Sequence, residues 1–268
     1  GTDGKTLSVS RKEKKESPPL PHCLSSLQKA ASSNFGMTAQ QVLDTAQSLY
    51  EKKLTTYPRT DCRYLPVEQF PDAARIVNAL ITIPELEQAA QNADPSLRSG
   101  AWDTKKITAH HAIIPTGEIP TSLTNTEKNL YSLICLAYCL QFYPEFRYEA
   151  QKITVKLKET SWEAKGRHIL EPGWTQVAKE QNDNAKEKEQ PLPDVHQDDS
   201  VHCLDVSILD KKTTPPPRFT EGSLIEAMAN VHRFVADTFA KATLKEHEGI
   251  GTEATRAGIL ETLKKRRF

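Results

Sequence analysis

A tyrosine, a proline and an arginine stand together in LTTYPRTDCRYLP, residues 54–66. The residue before a proline is pushed toward extended backbone, and the proline fixes its own φ. Tyr57 and Arg59, two apart, are therefore expected on one face of a stiff link. A tyrosine forms covalent intermediates through its phenol oxygen once its proton has somewhere to go. An arginine presents a planar fork that matches two oxygens of a phosphate. A nucleophile beside a phosphate-gripping cation is what attack of a phenol on a phosphodiester requires. Read alone, the same tripeptide also fits a loop whose ring covers apolar surface.

Two further stretches offer partners. In TAHHAIIPT (108–116) neighbouring side chains diverge, so one histidine of His110 and His111 can face a site while the other packs or meets solvent. An imidazole there can donate to a phosphate oxygen or move a proton. In EGIGTEATRAGILETLKKRRF (248–268), Gly249 and Gly251 free the backbone just before Thr252, which is expected to cap the next helix. A helix N-terminus seats phosphate, and Arg256 is expected one turn in. Each stretch has a plainer alternative, a structural histidine or a glycine turn before a surface helix.

These segments need elements to hold them. Thr38 and Gln41 form a capping box ahead of Val42, Leu43, Ala46, Leu49 and Tyr50 at helical spacing, so a helix is expected to end just before the tyrosine segment. A second box, Thr124 with Glu127, opens NLYSLICLAYCLQFY, which Pro144 closes. After Glu149 the period becomes two, with Ile153, Val155 and Leu157 alternating with polar residues as in a half-exposed strand. SWEAKGRHIL and SVHCLDVSIL read as further strands. Near the start, Thr6 to Ser10 alternate as a strand does, and Asp3-Gly4 is expected to be a hairpin turn. The G-x-x-G-K-T at 1–6 lacks the helix that a phosphate loop needs. Further helices are expected from Thr220 and Thr252. Residues 179–199, with seven acids against three lysines, read as a mobile polar loop.

SPPLP (17–21) and TTPPPRFT (213–220) break the chain. The expected fold class is α+β. A sheet-rich arch is made of 1–19 and 149–214, a mainly helical domain with Tyr57 is inserted at 20–148, and 215–268 starts another helical domain. The chain opens in strand pattern and stops inside a basic run, so a piece of a longer polypeptide is expected.

Composition narrows the field. With 37% hydrophobic and 26% charged residues over 268 positions, the chain can bury more than one core. No apolar run approaches a membrane span. The formal net charge is zero, so any case for a polyanion must be local. Cys23, Cys62, Cys135, Cys139 and Cys203 show no CxxC spacing and read as free thiols in a reducing compartment. Cys135 and Cys139 read as small apolar residues of a helix. No Ser-His-Asp set or metal-ligand spacing supports a hydrolase.

Together, TYPRTDCRYLP, AHHAIIPT and GIGTEATRAGI resemble the active-tyrosine, histidine and DNA-contacting segments of the type IA DNA topoisomerases. The similarity runs on through SLQKAASSNFGMTAQQVLDTAQSLYE and PPRFTEGSLIEAM. Pro-Arg after the tyrosine resembles the topoisomerase III branch rather than the branch with Met-Arg. The resemblance implies that Tyr57 attacks one DNA strand and keeps its 5′ phosphate, that Arg59 holds the scissile phosphate, and that His110 is the catalytic histidine. It gives Arg63, His111, Thr252 and Arg256 as DNA contacts, with His111 where other members have Glu. It further implies a strand-passing enzyme that reseals without ATP and acts on single-stranded, negatively supercoiled or catenated DNA. Such an enzyme is a monomer of the bacterial cytoplasm, associated with the nucleoid or a plasmid. The family's Mg²⁺ module carries a D-x-D-x-D run, and no Asp-x-Asp occurs here. Mg²⁺ would then belong to the full-length enzyme, and this chain alone would be inactive. The contrasting reading is a non-enzymatic single-stranded-DNA-binding module on the same fold, but a pure binder has no need of a nucleophile.

Overall fold

In a computed structural model of the chain, residues 1–178, 191–246 and 249–267 are described, all but the side chain of Glu246. Residues 179–190 of the polar loop, together with Glu248 and Phe268 of the last motif, lie outside the described residues. In chain order the elements are β1 (Thr2–Glu16), α1 (Leu24–Phe35), α2 (Ala39–Glu51), α3 (Ala73–Ile81), α4 (Glu87–Gln91) and α5 (Asn125–Cys139). Then follow β2 (Phe146–Leu157), β3 (Thr160–Glu171), α6 (Thr175–Ala178), β4 (Ser200–Cys203), α7 (Glu221–Ala229), α8 (Thr238–Glu246) and α9 (Arg256–Lys265). The fold is α+β. Its elements gather into two units, one of 1–18 with 144–216 and one of 19–143 with 217–268.

The sheet unit is antiparallel, in the order β3-β2-β1-β4. Period-two patterning places Ile153 in its interior with Phe146 and Tyr148, whose rings stack at 5.0 Å. Asp3-Gly4 makes no hairpin turn. β1 runs straight through it, and Gly4 pairs with Leu157 on one side and Val201 on the other. A Cβ at Gly4 would sit 2.3 Å from the Lys156 carbonyl oxygen, so the glycine serves close backbone approach inside a strand. The strand expected over SVHCLDVSIL stops at Cys203. Beyond it Leu204 and Ile208 are 86% and 90% exposed, because β4 is the outer strand and offers no described partner to extend the pairing.

The helical unit builds its main core where helical spacing places it, from Leu27, Val42, Leu49, Leu80, Trp102, Ile113, Ile134, Tyr138 and Phe142. Both capping boxes form. Thr38 Oγ1 accepts from the Gln41 amide at 3.1 Å while Gln41 Oε1 accepts from the Thr38 amide at 2.9 Å. The Thr124–Glu127 box does the same at 3.2 and 2.9 Å. All five cysteines are free thiols, four of them buried, with Cys203 partly exposed. Burial pushes the thiols of Cys62, Cys135 and Cys139 up, the last to about 12.

A second apolar cluster joins Leu24, Ala39 and Leu43 to Ile225, Met228, Ala257 and Leu260. This seam packs α7 and α9 onto α1 and α2. Gly222 permits the contact, since a Cβ there would lie 2.8 Å from Ser32 Cβ and 2.9 Å from Lys29 Cα. Carboxylates frame the seam. Glu221 accepts from the Ala39 amide at 2.8 Å and pairs with Lys264, while Glu253 accepts from the Ser25 amide at 2.6 Å. Each thereby meets an orphan donor at the start of a helix. Lys29 and Glu226 pair across the seam at 2.6 Å.

Candidate active site

The tyrosine segment is aimed by the way α2 ends. Lys52 closes the helix and Lys53 turns into left-handed backbone at φ 61°. The Lys53 amide then donates to the Tyr50 carbonyl at 2.8 Å and the Leu54 amide to the Leu49 carbonyl at 3.0 Å. This is a Schellman stop, with Leu49 and Leu54 both buried beneath it. A buried carboxylate clamps the same turn from the side. Glu127 accepts from Ser48 Oγ at 2.7 Å and from Lys52 Nζ at 2.6 Å, beyond its own capping bonds to Thr124. The Lys52 bond first, and then the Thr124 amide, pull its carboxyl down to about 2.

From this stop the chain is zipped to the histidine segment. The Thr56 amide donates to the Ile114 carbonyl at 2.9 Å, and the Thr56 hydroxyl donates to the Ala112 carbonyl and accepts from the Ile114 amide. Thr116 closes one end, its amide on the Leu54 carbonyl and its hydroxyl on the Lys53 carbonyl. Thr60 closes the other, its hydroxyl reaching the His110 carbonyl at 3.3 Å. On the far side of the histidine segment, the Ile113 amide bonds the His22 carbonyl at 2.8 Å.

This pairing brings Tyr57 and His110 together, with ring centroids 4.6 Å apart. Tyr57 is half-buried, while Arg59 and His110 are exposed. Among the described residues, the Arg59 guanidinium makes no ion pair or side-chain hydrogen bond, which leaves its fork available to an anion. The two histidines diverge. His111 is half-buried, with Nδ1 2.8 Å from the Ala112 carbonyl and Nε2 3.4 Å from the Gln69 amide nitrogen. Donation from Nδ1 to the carbonyl and acceptance at Nε2 fit the neutral ring, and burial lowers its pKa in keeping.

The other candidates lie elsewhere in the same unit. Arg63 donates from Nε to the Pro21 carbonyl at 2.8 Å and from Nη2 to the Leu20 carbonyl at 2.6 Å, tying the tyrosine segment to the start of the unit. Beside it, burial and then the Arg63 charge hold the His22 imidazole down to about 4. Thr252 does not cap α9 with its side chain. Its amide donates to Thr255 Oγ1 at 2.8 Å, and its carbonyl receives the Thr255 and Arg256 amides. The expected cap fails because a turn over 252–255 comes between. Arg256 opens the helix and is 3% exposed, bonding the Ile250 and Gly251 carbonyls and pairing with Glu253 at 2.6 Å. In this structure it holds the glycine loop together.

Two features escaped sequence reasoning. Tyr50, read only as one more position of α2 at helical spacing, is 40% exposed, with its ring 5.6 Å from that of Tyr57 at 79°. Glu127, read only as half of a capping box, also fixes the end of α2. Residues one helical turn apart at Ser48 and Lys52 carried that signal, but a carboxylate far along the chain was needed to reveal it. Among the described residues, no three side chains of His, Cys, Asp or Glu gather as a metal site. No described helix is long and apolar enough to cross a membrane.

Set beside known proteins, residues 2–268 match the sequence model of the DNA topoisomerase family. The chain is 45% identical over 258 residues to DNA topoisomerase 3 of Haemophilus influenzae, covering 95% of this chain and 39% of that protein. It is 40% identical to DNA topoisomerase 3 of Salmonella typhimurium, over all of this chain and 42% of that one. Against the structure of full-length topoisomerase I from Thermotoga maritima the TM-score is 0.70 at 24% identity, covering 99% of this chain and 41% of that one, a likeness of fold. The chain therefore spans about two fifths of the length of the relatives it matches.

Proposed function

As a member of the DNA topoisomerase family, of type IA and on its topoisomerase 3 side, the chain carries a tyrosine in ring contact with a histidine, and we propose that this tyrosine is the nucleophile of DNA strand cleavage. The Tyr57 phenol oxygen attacks the phosphorus of one strand. The bond from phosphorus to the 3′ oxygen breaks, leaving a 3′ hydroxyl and a 5′ phosphate esterified to Tyr57. The phenol proton is lost and a proton is gained at the 3′ oxygen, with His110 placed to carry one of these transfers. Arg59 grips the phosphate and meets the charge that grows in the transition state. Resealing is the reverse step. One phosphodiester is exchanged for another, so bond energy is kept and ATP is not needed.

The observation that carries this reading is the Tyr57–His110 contact at 4.6 Å, with the unpaired fork of Arg59 two residues along the chain. In the full-length enzyme Mg²⁺ belongs to a module outside this chain, and the chain by itself does not cleave. The DNA partner is single-stranded or underwound, met in the bacterial cytoplasm by a monomeric enzyme. Thr252 and His111 line the strand's path, while Arg63 and Arg256 act by holding the loops that meet it. The test is Tyr57→Phe in the full-length enzyme, with labelled single-stranded DNA trapped under denaturing conditions. The covalent adduct should vanish while strand affinity is kept, because only the attacking oxygen is lost. An adduct at the unmodified level would end the assignment.

A further inference from the structure

The ring of Tyr57 meets two other rings. One neighbour is His110, and the other is Tyr50, at 5.6 Å and 79°. That is edge-to-face geometry, in which the positive rim of one ring meets the negative face of the other. Tyr50 is not a core residue, since 40% of it is exposed on the last turn of α2. What fixes it is the turn beneath. Ser48 and Lys52 are both tied to Glu127, and the Tyr50 carbonyl itself accepts the bond that ends the helix. The Tyr57 hydroxyl has no side-chain or backbone hydrogen bond among the described residues, so ring contacts are what orient it.

We propose that Tyr50 is a positioning residue, an aromatic stop that restricts the ring of Tyr57 and so the directions open to its phenol oxygen. An unrestrained tyrosine spreads that oxygen over several staggered rotamers, whereas in-line attack uses one. A stop built on a separately clamped helix end removes the others before DNA arrives. Tyr50 makes no bond to the reacting atoms and acts only through Tyr57. The inference rests on the reading of Tyr57 as nucleophile.

The test uses the full-length enzyme, single-turnover cleavage of a labelled single-stranded oligonucleotide at saturation, and oligonucleotide affinity measured in a Tyr57→Phe background. Tyr50→Leu keeps apolar bulk and loses the ring, and should slow cleavage about tenfold. Its affinity for the oligonucleotide should stay within about twofold, the mark of an interaction used in the reaction rather than in binding. Tyr50→Phe keeps the ring and should restore the rate. Unchanged cleavage in Tyr50→Leu overturns the inference. So does a fall in affinity of about tenfold with the saturated rate intact, which is what loss of a base-stacking platform gives. If Tyr50→Leu and Tyr50→Ala both fail to fold, the ring is structural and the inference is likewise overturned. An adduct that persists in Tyr57→Phe alone would instead strike at the reading of Tyr57, so the two failures are distinguishable.

Discussion

Arg59 and His110 are exposed and Tyr57 is half-buried, and the work proposed for the first two is on one phosphate. Their loss should therefore be felt in rate. Arg59→Ala and His110→Ala in the full-length enzyme should each slow cleavage on the order of a hundredfold, with a smaller change in DNA affinity. Arg59→Lys should remain impaired, because a point charge cannot copy a planar fork. Single-turnover rates beside binding isotherms measure both, and alanine variants that cleave at close to the unmodified rate would remove these roles. At this scale the sequence was informative about residue type and less so about surroundings. Tyr57 and Arg59 follow from chemistry at short spacing, the divergence of the two histidines follows from backbone geometry, and the choice of His110 between them came from the family resemblance. That Arg256 would be buried among the carbonyls of its own loop, and Tyr50 left exposed beside Tyr57, depended on how those loops fold back, which residue type does not reveal.

Local signals served the elements well where both partners lay within one turn. The two capping boxes are bonds between residues three apart, and both formed. Asp-Gly at 3–4 misled for the opposite reason, because pairing with β2 and β4 overrides a turn preference. The Schellman stop after α2 holds an instructive misfit, a lysine at φ 61° where glycine would sit without a Cβ penalty. Lys53→Gly should raise stability by about 1 kcal/mol in denaturant melts, with the Tyr57 loop unchanged. Buried titratable groups set the response to acid. The His22 imidazole is held from 6.5 down to about 4, so the stability it contributes is complete above pH 6.5 and is lost as pH falls toward 4. His111 shifts the same way. Glu127 is held from 4.5 down to about 2, so its contribution is lost below pH 4.5. Melting temperature against pH should fall through both windows. His22→Asn should flatten the upper one, and Glu127→Gln the lower one at a cost of about 1–3 kcal/mol at neutral pH.

On the scale of the whole molecule, the chain passes between its units three times, at 18–19, 143–144 and 216–217. If residues 20–148 are the gate, their seam with α7 and α9 must part for a strand to pass. Cysteines in place of Lys29 and Glu226, joined by a short bifunctional reagent, should leave cleavage intact and stop relaxation of supercoiled DNA. Full relaxation by a quantitatively joined enzyme would mean that the opening lies elsewhere. The seam was not legible in the sequence, since its close approach turns on one glycine, Gly222, that resembles any other helical glycine until Ser32 is set against it. The buried thiols described above have a practical bearing on such work. Cys62, Cys135 and Cys139 are sheltered and held protonated at neutral pH, and Cys23 is sheltered as well. With Cys203→Ser the chain becomes chemically blank toward maleimides, so a dye or spin label placed on either unit would report from its own address alone.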